Sequence, residues 1–187
     1  MLGTPLSTVN TDYSGMTNEH LRLFFAIPCS ASVSERLVTW SVRNCPDGSA
    51  LHPNDLHVTL AFLGSQPAEH VPVLHRLAAS LPLPALTIEL GTAQRWSDLL
   101  VLLPRQVPDA LLTFQKELSS RLHALGVAMD TRPYRPHLTL MRRLPSKIAP
   151  PSPPPFSWSV REWGLFRSHQ QVPRYQCLAS WPTIPHP

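Results

Sequence analysis

The amino-acid sequence predicts an α+β fold built as two lobes that face each other across a cleft. Three observations lead there. Short apolar runs of strand character interleave with stretches of helical periodicity, in the order β-α-β-α-β-β-α-β-β-β. Two of the strands carry nearly the same text, LHVTLAFLG from Leu56 to Gly64 and PHLTLMRR from Pro136 to Arg143, one in each half of the chain. And 187 residues with 43% hydrophobic content suffice to bury a proper core, as one domain or two tightly packed lobes.

Each element has a local reason. Residues 1–20 mix Thr, Ser, Asn and Gly without periodicity and are expected to be a loose extension, with Met16 an alternative start; residues 21–187 are expected to form one bilobal domain. LRLFFAI (21–27), ended by Pro28, reads as a buried strand. Ser32 with Glu35 is a capping-box pattern, and Val33, Leu37 and Trp40 then share a helical face until CPDGS stops the helix. The first repeat follows as a strand from His57 to Leu63, closed by Gly64. A second helix runs from about Ala68 to Ala79, with Pro72 tolerated in its first turn. Segments 84–96 and 98–104 form a tight hairpin. The clearest helix is 109–125, with Leu111, Phe114, Leu118, Leu122 and Leu125 on one stripe, Pro108 at its start and Gly126 at its end. The second repeat is again a strand. PPSPPPFSW then makes a polyproline-like surface connector, and strands at 157–167 and 174–181 finish the chain.

Composition excludes several classes. No run of about 18 apolar residues exists to span a membrane, and LRLFFAIP is too short and too late for a signal peptide. Cys29, Cys45 and Cys177 are odd in number and lack metal-ligand spacing, which fits reduced thiols in a cytoplasmic protein. The net charge of +4 is mild, so its placement matters more than its size.

On a strand, residues i and i+2 project from the same face. His57 and Thr59 therefore point together, with Val58 and Leu60 on the buried side; His137 and Thr139 do the same over Leu138 and Leu140. Lobes related by an approximate two-fold axis would bring two imidazoles and two hydroxyls to one cavity. Two histidines on opposite sides of a phosphorus atom suit in-line displacement: a neutral imidazole takes the proton from the attacking oxygen and an imidazolium gives one to the leaving oxygen. Threonines and arginines can hold the non-bridging oxygens. Such chemistry requires neither metal nor cofactor. A lone strand histidine, by contrast, is usually a surface or core residue; duplication of the whole pattern argues against that.

Arg132, Arg135, Arg142, Arg143 and Lys147 surround the second motif against Asp130 alone, a solvated charge cluster elsewhere but a phosphate-binding neighbourhood here. Strand parity puts Arg143, not Arg142, on the His137 face. The other seven histidines lack the motif's context and read as surface residues, with His52 notable for lying just upstream of His57. Trp96, Trp158, Trp163 and Phe24 could stack a base, although their spacing fits core positions.

NDLHVTLAFLG, RPYRPHLTLMRR and the opening LRLFFAIP closely resemble the two-histidine phosphoesterases, and within them the bacterial and archaeal RNA 2′,3′-cyclic phosphodiesterases, also called 2′–5′ RNA ligases. The likeness runs from about Arg22 to Trp181. It implies pseudo-symmetric lobes of mainly antiparallel sheet with outer helices, and hydrolysis of a terminal 2′,3′-cyclic phosphate on RNA, or on a small cyclic nucleotide, to a 2′-phosphate. With a 5′-hydroxyl in place of water the strained cyclic phosphate would drive 2′–5′ joining of RNA ends without ATP, and the chain is expected to act as a monomer. By the same resemblance His57 is the proton donor, His137 the proton acceptor, and Thr59 and Thr139 bind phosphoryl oxygens. Arg142 matches the family's arginine, against the parity choice of Arg143; Arg135, Tyr134 and Phe24 complete the expected substrate contacts. Asp55 stands where Asn is usual, a change expected to touch only an adjacent loop, and Tyr134 stands where Phe is common. Two rival readings are a non-catalytic RNA-binding module on the same fold and a metal-dependent phosphohydrolase, the latter weakened by the lack of a carboxylate or Cys at ligand spacing beside either histidine.

Overall fold

In the computed structural model of the chain, residues 19–128, 130, 132–145 and 149–185 are described; the expected extension up to residue 18, Met16, Lys147 and His186 lie outside them. The strands are β1 (His20–Pro28), β2 (Ser49–Ala50), β3 (His57–Pro67), β4 (Leu86–Trp96), β5 (Leu99–Pro104), β6 (Leu138–Arg142), β7 (Phe156–Val160), β8 (Glu162–Ser168) and β9 (Tyr175–Pro182). The helices are α1 (Ala31–Asn44), α2 (Val71–Ala79) and α3 (Asp109–Ala124).

All these strands join one sheet in the order β7-β4-β5-β6-β3-β1-β8-β9, with β2 beside β6. The named strand pairs are antiparallel. Two four-stranded halves, β3-β1-β8-β9 and β6-β5-β4-β7, meet where Val58 pairs with Leu138. These are the expected lobes, but they are not the two halves of the chain: the C-terminal β8 and β9 return to the lobe of β1. The expected strand at 157–167 is two strands, because the chain changes partner at Arg161. Phe156–Val160 pairs with β4, and β8 pairs with β1. One residue spans only about 3.3–3.6 Å, so the sheet curls until its distant edges approach. The Thr183 amide donates to the Arg161 carbonyl at 2.8 Å, and the Ala85 amide to the Ile184 carbonyl at 2.7 Å.

The helices lock the lobes together. Helix α1 follows β1 yet packs under β6 and β7, where Trp40 meets Phe156 at 6.2 Å between ring centroids. Helix α3 follows β5 yet packs under β3 of the other lobe: Gln115 donates to the Leu60 carbonyl, and Phe114 meets Trp163 edge-on at 4.8 Å. The core between sheet and helices includes Leu23, Phe25, Ile27, Val58, Leu60, Leu138 and Leu140.

Local expectations need three corrections. The capping box at Ser32 and Glu35 does not form, because the helix starts two residues earlier than that cap would place it; Ser30 is the N-cap residue and makes no side-chain cap bond. Leu125 is exposed, since α3 ends at Ala124 and Gly126 turns the chain away at φ +79°. Gly64 does not close β3: at φ +68° it sits beside a bulge opposite Leu23 and Phe24, and the strand continues to Pro67. Trp158 and Trp163 are buried in the core, the positions their spacing fits.

Candidate active site

The two His-x-Thr-Leu strands use one backbone device twice. On β3, Thr59 faces Ala26 and Ala61 faces Phe25, so Leu60 is an extra residue in the ladder. On β6, Thr139 faces Val101 and Met141 faces Leu100, so Leu140 is the extra residue. A bulge at this leucine turns two consecutive residues inward, Leu60 with Ala61 and Leu140 with Met141, all buried. Alternation then resumes with inverted parity. Phe62 and Arg142 thereby come to the face of the histidines and threonines, and simple alternation from His137 misplaces the arginine. Arg142 lines the cleft; Arg143, at φ +55°, donates its amide to the Asp98 carboxylate at 3.3 Å and does not.

His57, Thr59, His137, Thr139 and Arg142 share an inner cavity of about 140 Å³ with Leu51 and Tyr175. His57, Thr59, Arg142 and Tyr175 also wall a wider outer cavity of about 490 Å³, completed by Arg22, Phe24, Phe62, Ser168, His169, Gln170 and Arg174. That volume lies within the roughly 300–1,000 Å³ of small-molecule sites.

Both imidazoles are held alike. His57 Nδ1 meets the Asp55 carbonyl at 2.7 Å, and His137 Nδ1 meets the Arg135 carbonyl at 2.8 Å, each two residues back. A carbonyl only accepts, so Nδ1 carries the hydrogen and Nε2 is left to gain or lose a proton. Their surroundings differ. The His57 ring lies 5.0 Å from Phe24 and 5.0 Å, perpendicular, from Tyr175. Burial pushes its pKa down to about 4; the Asp55 carbonyl and charge oppose that shift, while His137 and Arg142 add to it. His137 instead packs on Trp96 at 4.5 Å, and the Arg135 guanidinium lies over the same Trp96 ring at 4.7 Å.

Other expected site residues are placed as follows. Phe24 reaches the outer cavity beneath His57. Tyr134 lines neither cavity; its hydroxyl donates to the Thr59 carbonyl at 3.1 Å, tying the approach to β6 onto β3, and burial pushes its pKa up. Arg132 pairs with Asp130 in solvent. His52 stays local, accepting the Asn54 amide at 3.2 Å on a short turn. Of the histidines read as surface residues, His169 lines the outer cavity, whereas His75 packs inward on Trp181 at 5.3 Å. Sequence reasoning missed Arg22, Phe62, Arg174 and Tyr175. Only Phe62 had a signal, as the counterpart of Arg142 five residues after its histidine. The three cysteines are unpaired. Among the described residues no group of three His, Cys, Asp or Glu side chains could hold a metal ion, and no helix is long and apolar enough to cross a membrane.

Comparison with known proteins agrees with this geometry. Residues 29–172 match the family model of the 2'-5' RNA ligase superfamily. The RNA 2',3'-cyclic phosphodiesterase of Escherichia coli strain K12 is 35% identical over 172 residues, covering 88% of this chain and 97% of that protein. Among solved structures, E. coli LigT complexed with 3'-AMP aligns with a TM-score of 0.82 and 33% identity over 88% of this chain and 99% of that one. The Thermus thermophilus protein TT0787, at 23% identity, shares the fold with a TM-score of 0.69 over 87% of this chain and 97% of that one. The paired motifs, the match across most of the chain and the 35% identity place this protein in the 2'-5' RNA ligase superfamily.

Proposed function

We propose that this protein hydrolyses a 2′,3′-cyclic phosphate at the end of an RNA to a 2′-phosphate. The observation that carries the reading is the pair of histidines, held as the same tautomer and sharing one small cavity with two threonines and Arg142. His137 Nε2 takes a proton from water, the water oxygen bonds to phosphorus, the bond from phosphorus to the 3′ oxygen breaks, and protonated His57 gives its Nε2 proton to that oxygen. Thr59, Thr139 and Arg142 donate to the non-bridging oxygens as charge concentrates there. The free cleft disfavours a charged His57; the anionic phosphodiester favours it, so substrate supplies the charge that keeps the donor protonated. The outer cavity receives the nucleoside between the rings of Phe24, Phe62 and Tyr175 and the guanidinium groups of Arg22 and Arg174.

A 5′-hydroxyl in place of water would join two RNA ends by a 2′–5′ linkage, driven by the strained cyclic phosphate and not by ATP. Residues 21–187 act as one bilobal unit, because each lobe supplies half the site and one helix of each packs under the other. A single chain supplies both halves, which supports a monomer, and three unpaired thiols support a cytoplasmic location.

Incubating an oligonucleotide that ends in a 2′,3′-cyclic phosphate, and locating the phosphate in the product, tests the reading. A 2′-phosphate with a free 3′-hydroxyl is expected. A 3′-phosphate would keep the two-histidine mechanism and reverse the orientation of the substrate in the cleft. Tight binding without turnover would instead establish an RNA-binding module.

A further inference from the structure

Two residues before His57, Asp55 is only 2% exposed, although a carboxylate is seldom buried without partners. Its partners come from the far end of the chain. One carboxylate oxygen accepts the Arg174 amide at 3.0 Å and the other the Tyr175 amide at 3.2 Å. The Asp55 carbonyl meanwhile holds His57 Nδ1 at 2.7 Å. One residue thus grips the histidine with its backbone and the start of β9 with its side chain. The segment it grips carries Tyr175, whose ring stands perpendicular to His57 and whose hydroxyl accepts from Arg142 at 3.4 Å, and Arg174, which walls the outer cavity. The corresponding residue before His137 is Arg135, whose side chain lies over Trp96 and, among the described residues, makes no hydrogen bond to a distant backbone. The expectation that Asp55 touches only an adjacent loop therefore fails.

We infer that Asp55 is a positioning residue for the reaction: its buried carboxylate clamps the Arg174–Tyr175 segment against His57, which orients the imidazole and places a fixed negative charge behind it. This rests on the two-histidine reading of the cleft. The titratable and charged groups facing His57 are Asp55 of its own segment, His137 and Arg142 of β6, Tyr175 and Arg174 at the start of β9, and His169 and Arg22 across the outer cavity. Asp55 is the sole carboxylate among these, so its charge opposes the others in favouring the imidazolium.

The test compares the intact protein with Asp55→Asn and Asp55→Glu by nuclear magnetic resonance titration of the His57 ring, and by kinetics on a dinucleotide ending in a 2′,3′-cyclic phosphate. Asp55→Asn keeps the shape, loses the charge and leaves one of the two amides without an acceptor. Its His57 midpoint should fall below that of the natural protein, and kcat should drop by up to about 10²-fold, the usual penalty of a misplaced catalytic group. Asp55→Glu should return the midpoint toward the natural value. An unchanged midpoint and kcat in Asp55→Asn overturn the assignment, as does a lowered melting temperature with the midpoint unmoved, which would mark a purely structural carboxylate. Should the variants not fold, the natural protein decides: the Arg174 and Tyr175 amide resonances should shift through the His57 midpoint, and flat resonances overturn the coupling. Because the titration needs no turnover, a natural protein inert toward the cyclic phosphate would defeat the functional reading while leaving the role of Asp55 to the titration.

Discussion

The His57 strand and the His137 strand share sequence, bulge, buried leucines and an imidazole tied at Nδ1 to a carbonyl two residues back, yet they build unlike surroundings. His57 is packed between Phe24 and Tyr175 with a buried carboxylate behind it, and is desolvated. His137 rests on Trp96 beneath the exposed Arg135. Five residues after each histidine the bulge delivers a side chain to the cleft, Phe62 from one strand and Arg142 from the other. On the proposed reading, the duplicated backbone brings two proton-transfer groups to one phosphorus atom, and the unlike neighbours divide acid from base and nucleoside side from phosphate side. Pairs of titratable groups in contrasting environments are how one site performs both halves of acid–base catalysis at a single pH.

The comparison breaks most directly at the histidines. His57→Ala and His137→Ala should each lower turnover by roughly 10²–10⁴, the usual worth of a positioned acid or base. Near-full activity in either variant would mean that only one strand does chemistry. Next in size is the residue delivered by the second bulge. Arg142→Ala, losing a charged donor to the transition state, should cost up to about 10²–10³ in kcat. Arg143→Ala should change kcat less than twofold on the same assay; equal losses would return the choice to simple strand alternation. Thr59→Ala and Thr139→Ala should cost less than the histidine variants, because each removes one contact among several.

The electrostatic difference can be read from pH. A bell-shaped profile is expected, its limbs belonging to the coupled pair. In the free protein His57 has a pKa lowered to about 4, so it loses its proton as pH rises through that value. The acid limb of kcat/KM reports the lower of the pair's two pKa values in the free protein, so it should lie below the ordinary histidine range. Bound phosphate favours the imidazolium, so the kcat profile should sit at higher pH than the kcat/KM profile. Coincident profiles would show that desolvation does not separate the two histidines, and a flat response from about pH 5 to 9 would remove the acid–base pair itself. The smallest effect belongs to chelation. Neither imidazole is joined by a third ligand among the described residues, so activity should survive excess EDTA; loss restored by a divalent ion would turn the pair into metal ligands.

What the sequence determined by itself is what short-range periodicity can encode. The apolar run of β1, the stripe of α3, the hairpin of β4 and β5, and the common face of His57 with Thr59 and of His137 with Thr139 each depend on neighbours a few residues away, because side-chain direction follows from backbone repeat alone. The tertiary structure decided whatever depends on which distant segment lies alongside. The bulges at Leu60 and Leu140 exist only relative to β1 and β5, and they, not the alternation of β6, select Arg142 over Arg143. Arg161 divides one apparent strand into two because β4 and β1 each claim a side of it. Asp55 finds its partners in Arg174 and Tyr175, more than a hundred residues away, since a buried carboxylate must be satisfied wherever donors are to be had. Hydrogen bonds between distant strands are pairwise choices, and no periodicity within either strand records them.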